Sequence, residues 1–129
     1  MHRYRRHAHW NVKGPHFIAL HELFDKLHAE LEGPIDDIAE RITALGGVAH
    51  GTLRMLAKAS RVSEFPSDVH DGVAVTLALA DRYATVAKSV RDAIDKTAKL
   101  GDADTADLFT GLSRQLDKAL WFLEAHGQS

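Results

Sequence analysis

Cysteine is absent from the 129-residue chain, which excludes disulfides and thiolate-held metals and leaves a reducing compartment allowed without requiring it. No apolar run approaches the roughly 20 residues that a membrane-spanning helix needs. The opening Met1-His2-Arg3-Tyr4-Arg5-Arg6 lacks the apolar stretch of a secretory signal. The cytoplasm is therefore the expected location. A strong charge of either sign is also missing: the net charge of −2 gives no general attraction to nucleic acid or anionic membrane. Nor does any segment alternate with the two-residue period of a strand, and no internal repeat or low-complexity tract appears.

What is present is ordinary in bulk and unusual in one respect. Hydrophobic residues make up 45% and charged residues 26%, as in a soluble globular protein. The length predicts a single domain over residues 1–129 with a buried core. Histidine, however, occurs nine times, and metal ligation is one reason for such enrichment.

The stretch Gly14–Leu45 organises the rest. Phe17, Leu20, Phe24, Leu27, Leu31, Ile35, Ile38, Ile42 and Leu45 recur at intervals of three and four, one apolar stripe along a helix. Pro15 suits a helical first turn, and Gly46-Gly47 supplies a left-handed end. Gly33-Pro34 lies inside this pattern. Because the stripe continues on both sides, the expectation is one bent helix, not two.

Around it the chain reads as all α. Residues 1–12 predict a helix too short to span a bundle, ended by Gly14-Pro15. Thr52–Ala59 predicts a short connecting helix, and Ser60–Ser67 a loop. A helix capped near Asp68 follows, with Val73, Leu77, Ala80, Ala84, Ala87, Val90 and Ile94 expected inward. Asp104 is the expected cap of a last helix carrying Leu108, Leu112, Leu116, Leu120 and Leu123 along one side. The architecture is an antiparallel four-helix bundle with a shortened first helix and a short helix between the second and third.

His21, Asp25, Asp36 and Glu40 fall on one arc beside the stripe. Such a face either meets solvent or holds a cation. His21 and Asp25 sit one turn apart, as do Asp36 and Glu40, but about 16 Å of helix separates the pairs. No single ion reaches both. Two copies packed antiparallel about a two-fold would set each His21/Asp25 pair against the other copy's Asp36/Glu40. Imidazole and carboxylate without sulfur suits iron better than structural zinc.

Three blocks then match a known family: Ala8-His9-Trp10-Asn11-Val12-Lys13-Gly14-Pro15, Phe17–Asp25, and Asp36-Asp37-Ile38-Ala39-Glu40-Arg41. With Leu45-Gly46-Gly47, Ala80–Tyr83 and Leu116–Glu124, the chain resembles the Dps mini-ferritins over nearly its whole length. The resemblance implies a hollow homododecamer built from two-fold dimers. It implies dinuclear ferroxidase centres between subunits, with His9, His21 and Asp25 from one and Asp36 and Glu40 from its partner. It further implies oxidation of Fe²⁺ by hydrogen peroxide or oxygen, storage of ferric mineral, and protection of DNA. Zinc, cobalt or manganese could occupy the same ligands. Trp10 resembles the family's tryptophan beside the centre, where it would intercept one-electron oxidation.

The sequence departs from the family in having only eight residues before His9. Arg3, Arg5 and Arg6 are too few for firm phosphate binding. The competing reading is a nucleoid-associated DNA-binding protein with a vestigial metal site; a third is a dimer that never closes a shell. The remaining histidines, His2, His7, His16, His28, His50, His70 and His126, read as surface or interface residues, with His28 nearest the polar arc. Asp102, Asp104 and Asp107 resemble an acidic entry pore, and equally serve as capping residues.

Overall fold

The computed structural model describes residues 2–128. Six α-helices follow in order: α1 His2–Asn11, α2 Phe17–Glu30, α3 Glu32–Ala44, α4 Leu53–Ala59, α5 Gly72–Lys99 and α6 Ala103–Glu124, the last ending in a 3₁₀ turn at Ala125–Gly127. No helix among the described residues is long and apolar enough to cross a membrane. The arrangement is the expected all-α, ferritin-like bundle, with a short first helix and a short helix in the connection to α5.

The core forms where α1, α2, α5 and α6 meet. Phe24, Leu27, Val75, Leu79, Tyr83, Leu116 and Leu123 are fully enclosed. Truncating one such side chain, Phe24→Ala for example, would cost about 3–5 kcal/mol through lost burial and the void left behind. The most extensive contact is between α5 and α6, where buried Ala80, Ala87, Ser113 and Ala119 allow close approach. The stripe on α5 runs through Val75, Leu79 and Tyr83, not through Val73 and Leu77, which are exposed, nor Ala84. Both sets keep helical spacing; the larger Tyr83 takes the interior, where Arg5 meets its hydroxyl.

One cap falls near the expected place and one differs from expectation. Asp71, not Asp68, accepts from the Ala74 N–H to start α5, and Asp102, not Asp104, accepts from the Thr105 N–H to start α6. Asp102 also accepts from Arg41 at 3.1 Å, tying α3 to α6. These bonds, led by those from Thr105, hold its carboxyl below the usual carboxylate range.

The long helix is divided. Helical bonding lapses at Leu31, so α2 and α3 are separate elements and not one bent rod. Pro34 falls in the first turn of α3, where its missing N–H costs least. The acceptor it cannot serve, the Glu30 carbonyl, instead receives Gln115 Nε2 from α6 at 2.5 Å. The apolar stripe splits with the helix. Leu20, Phe24, Leu27 and Leu31 are buried, whereas α3 buries none of its residues, and Ile35, Ile42 and Leu45 are exposed. The ten residues of α1 span about 15 Å and lie along α2, while among the described residues the main contacts of α3 are with α2 and α6.

The loop before α5 is more than a connector. Phe65 is buried, packs beside His7 and Tyr4, and lies under the Arg82 guanidinium, which also donates to the Glu64 carbonyl. Lys13 N–H donates to the His70 carbonyl at 2.8 Å, drawing the α1–α2 turn onto the start of α5. Gly72 permits this approach, since a Cβ there would stand 2.8 Å from Leu20 Cδ1.

Candidate metal centre

The α1–α2 turn sends α2 back antiparallel to α1, and this register places His9 against His21. Their rings stack with centroids 3.6 Å apart and planes 22° from parallel. Each imidazole reaches the other's backbone: His9 Nδ1 lies 2.8 Å from the His21 carbonyl, and His21 Nδ1 lies 2.9 Å from the His9 carbonyl. A carbonyl only accepts, so both Nδ1 atoms carry the proton and both Nε2 lone pairs remain available. A backbone bond that fixes the tautomer and ring orientation in this way is what a metal-ligating histidine needs behind it. Phe17 closes one side of His21, ring centroids 5.1 Å apart.

One turn along the same two helices, Asp25 Oδ1 receives Arg6 Nη1 at 2.9 Å. The two cross-helix pairs share one register, His9 with His21 and Arg6 with Asp25. Arg6 therefore belongs to this corner. Arg6 precedes His9 by three residues on α1, much as Asp25 follows His21 by four on α2, but the pairing itself depends on the register between the two helices. Two of the three clustered arginines are accordingly engaged. Arg5 is fully buried, donating to the Leu27 carbonyl at 2.8 Å and the Tyr83 hydroxyl at 3.2 Å. The Arg3 side chain lies outside the described residues.

The other expected ligands stand apart. Asp36 and Glu40 are exposed on α3, beyond the Leu31 break. Glu40 lines a groove of about 380 Å³ with Asp37, Arg41, Ala44, Asp104 and Leu108. Among the described residues, no three His, Cys, Asp or Glu side chains of one protomer form a group able to hold a metal ion. Trp10, beside His9, is 68% exposed. His28 is buried, with Nε2 3.6 Å from Glu32 Oε1; it belongs to the bundle interior and not to the polar arc.

The ferritin-like domain family matches residues 3–128. The chain is 47% identical over 123 residues to the DNA protection during starvation protein of Agrobacterium fabrum, covering 95% of this chain and 76% of that one. The chain belongs to the Dps branch of the ferritin-like proteins.

Solved Dps structures agree with this Dps in fold. DpsA14 from Streptomyces coelicolor superimposes with a TM-score of 0.94 at 40% identity, covering 99% of this chain and 76% of that one. Dps from Mycobacterium smegmatis gives 0.94 at 34% identity, over 99% and 77% of the two chains.

Proposed function

We propose that this Dps is an iron-detoxifying ferroxidase whose centre is completed between two subunits of a homo-oligomeric shell. The observation that carries the reading is the reciprocal His9–His21 arrangement, in which each Nδ1 is tied to the other residue's backbone carbonyl and leaves Nε2 for a ligand, while the described residues of one protomer form no group of three able to hold an ion. In this reading the partner subunit provides Asp36 and Glu40, two-fold symmetry yields two equivalent centres, and twelve subunits close the shell. Membership of a family whose relatives are named for DNA protection during starvation supports it.

Fe²⁺ is the substrate. Two ferrous ions held together each give one electron to one hydrogen peroxide; its O–O bond breaks, two protons are taken up, and two waters leave with two Fe³⁺. The imidazoles and carboxylates bind and orient the ions, and Trp10 stands beside His9 to intercept any stray one-electron oxidant. Ferric product passes into the cavity as mineral. Consuming ferrous iron and peroxide together removes the pair that generates hydroxyl radicals, so DNA is protected chemically. Coating of DNA is the weaker reading, because Arg5 is buried and Arg6 is paired with Asp25.

The test is anaerobic loading with Fe²⁺ followed by peroxide, with ferric absorbance and sedimentation measured on the assembled protein. A fast ferric rise in wild type and a rate at least tenfold slower in the H21A/D36A variant are expected. Equal rates in the two proteins would refute it.

A further inference from the structure

The first residues of α5 anchor two turns from distant parts of the chain. Lys13 N–H donates to the His70 carbonyl at 2.8 Å, and Gly72 takes Leu20 against its backbone, which fixes the α1–α2 turn and the His16 at its end. The 3₁₀ turn Ala125–Gly127 packs on α5 as well, since a Cβ on Gly127 would stand 2.8 Å from Leu77 Cδ2. About one helical turn separates Gly72 and Val73 from Leu77. The two turns thus flank Val73 and leave a cavity of about 190 Å³, lined by His16, Ala19, Leu20, Val73 and His126. His126 Nδ1 lies 2.7 Å from the Phe122 carbonyl, so that nitrogen carries the proton and Nε2 keeps its lone pair. His16 holds the N-cap position of α2 without bonding the helix through its side chain. Among the residues that line the cavity, the two imidazoles are the only polar side chains. His126 also sits at the carbonyl end of α6, which favours positive charge and offsets the opposite preference at the start of α2.

We propose that His16 and His126 form a second divalent-cation site, built within one protomer and using none of the residues of the His9–His21 corner. Its donors are two imidazole nitrogens. The cavity has room for about six water molecules, enough for an ion and the waters that complete its coordination. No Lys or Arg in the lining repels a cation, and no carboxylate there selects a hard one. A nitrogen-only donor set suits Zn²⁺, Cu²⁺ or Ni²⁺ and disfavours Mg²⁺, Ca²⁺ and Mn²⁺; Fe²⁺ stands low in the affinity order. The occupants are therefore ions that compete with iron, not iron itself. Because the site needs neither a partner subunit nor the ferroxidase ligands, it stands or falls separately from the function proposed above. Its bland rival is a pair of exposed histidines that share a dent in the surface and hold nothing.

Calorimetric titration of the assembled, metal-free protein with Zn²⁺, joined to anomalous diffraction at the zinc edge from Zn²⁺-soaked crystals, separates the two. An anomalous peak between the two rings is expected. His16→Ala and His126→Ala should each remove that peak and weaken one class of binding, one Zn²⁺ per subunit, by at least ~10-fold. A large excess of Mg²⁺ should leave this class unchanged. His21→Ala should keep the peak whatever it does at the other corner, so failure of the ferroxidase reading and failure of this site are told apart. Ferric formation with peroxide should be the same in H16A as in wild type. His16 is exposed and makes no cap bond, so loss of zinc from H16A cannot be laid to a misfolded turn; matched circular dichroism and sedimentation check this for both variants. No peak in the cavity, a peak on one ring alone, or an H16A/H126A isotherm superimposable on wild type overturns the site.

Discussion

Gln115 Nε2 donates to the Glu30 carbonyl at 2.5 Å, filling the acceptor that Pro34 leaves unserved. The bond joins α6 to the α2–α3 junction. In a continuous helix the residue at 34 would donate to the carbonyl at 30; here a side chain from another helix takes over. Removing it by Gln115→Ala should cost about 0.5–1 kcal/mol, the net worth of a partly solvated hydrogen bond. The companion change Pro34→Ala restores an N–H aimed at Glu30. In that background Q115A should cost nothing measurable, so the two changes couple by most of the single-variant effect. Chemical denaturation of the four proteins checks it, and equal costs of Q115A in both backgrounds would show the bond to be incidental.

The start of α6 offers a sharper contrast. Asp102 caps the helix and meets Arg41, while Asp104, two residues on, makes neither contact. Asp102→Ala should lower Tm by on the order of a few degrees, and Asp104→Ala should leave it nearly unchanged. Because the folded carboxyl of Asp102 lies below its ordinary value, its contribution is fully present above the unfolded value near 4 and fades as pH falls through the folded one. Wild type and D102A should therefore converge in Tm as the pH is taken down through the folded value. A gap that stays constant from pH 7 to pH 2.5 contradicts the assignment.

How much of this was legible beforehand follows from which forces act locally. Three-and-four spacing is a property of one helix, so α2, α5 and α6 could be read from Leu20, Phe24 and Leu27, from Ala80 and Ala87, and from Leu116 and Leu123. Burial depends on neighbours. Ile35, Ile42 and Leu45 continue the pattern but are uncovered, because no other described helix lies over that face of α3. Caps are ambiguous wherever aspartates crowd a helix start, since the choice among them depends on where the backbone turns helical; hence Asp71 and Asp102 in place of Asp68 and Asp104. The ligand types and their spacing along α2 and α3 were visible. The mutual His9–His21 bonding and the Arg6–Asp25 pair were not, because each depends on the register between antiparallel helices.

Tyr83 gives the core a limit at high pH. Burial raises its phenol above the ordinary value of 10.0, and Arg5, as counter-charge and hydrogen-bond donor, offsets part of the rise. The folded protein therefore keeps a proton that the unfolded chain releases near pH 10. The stability this lends is complete below pH 10 and is lost as pH climbs toward the folded value. Tyr83→Phe should cost about 1 kcal/mol at pH 8 through the lost Arg5 partner. Between pH 10 and 11.5 it should fall less steeply in stability than wild type. Parallel declines in denaturation midpoints over that range would rule out Tyr83 as the source.

The paired histidines make a prediction that is independent of any rate. Since each Nδ1–H is committed to a backbone carbonyl, long-range ¹⁵N–¹H correlation spectra of the metal-free protein at pH 8 should show both rings protonated at Nδ1 and bare at Nε2. His9→Ala removes the stacked ring but not the residue 9 carbonyl, so His21 should keep its tautomer in that variant. Zn²⁺ should then move the Nε2 resonance of His21 while leaving Nδ1 nearly in place, and removing either ring should weaken Zn²⁺ binding by at least ~10–100-fold, on the scale set by disturbing a ligand's supporting contacts. Protonation of either ring at Nε2 in the metal-free state would mean that the lone pairs are not turned outward, and that these imidazoles hold the two helices together and nothing else.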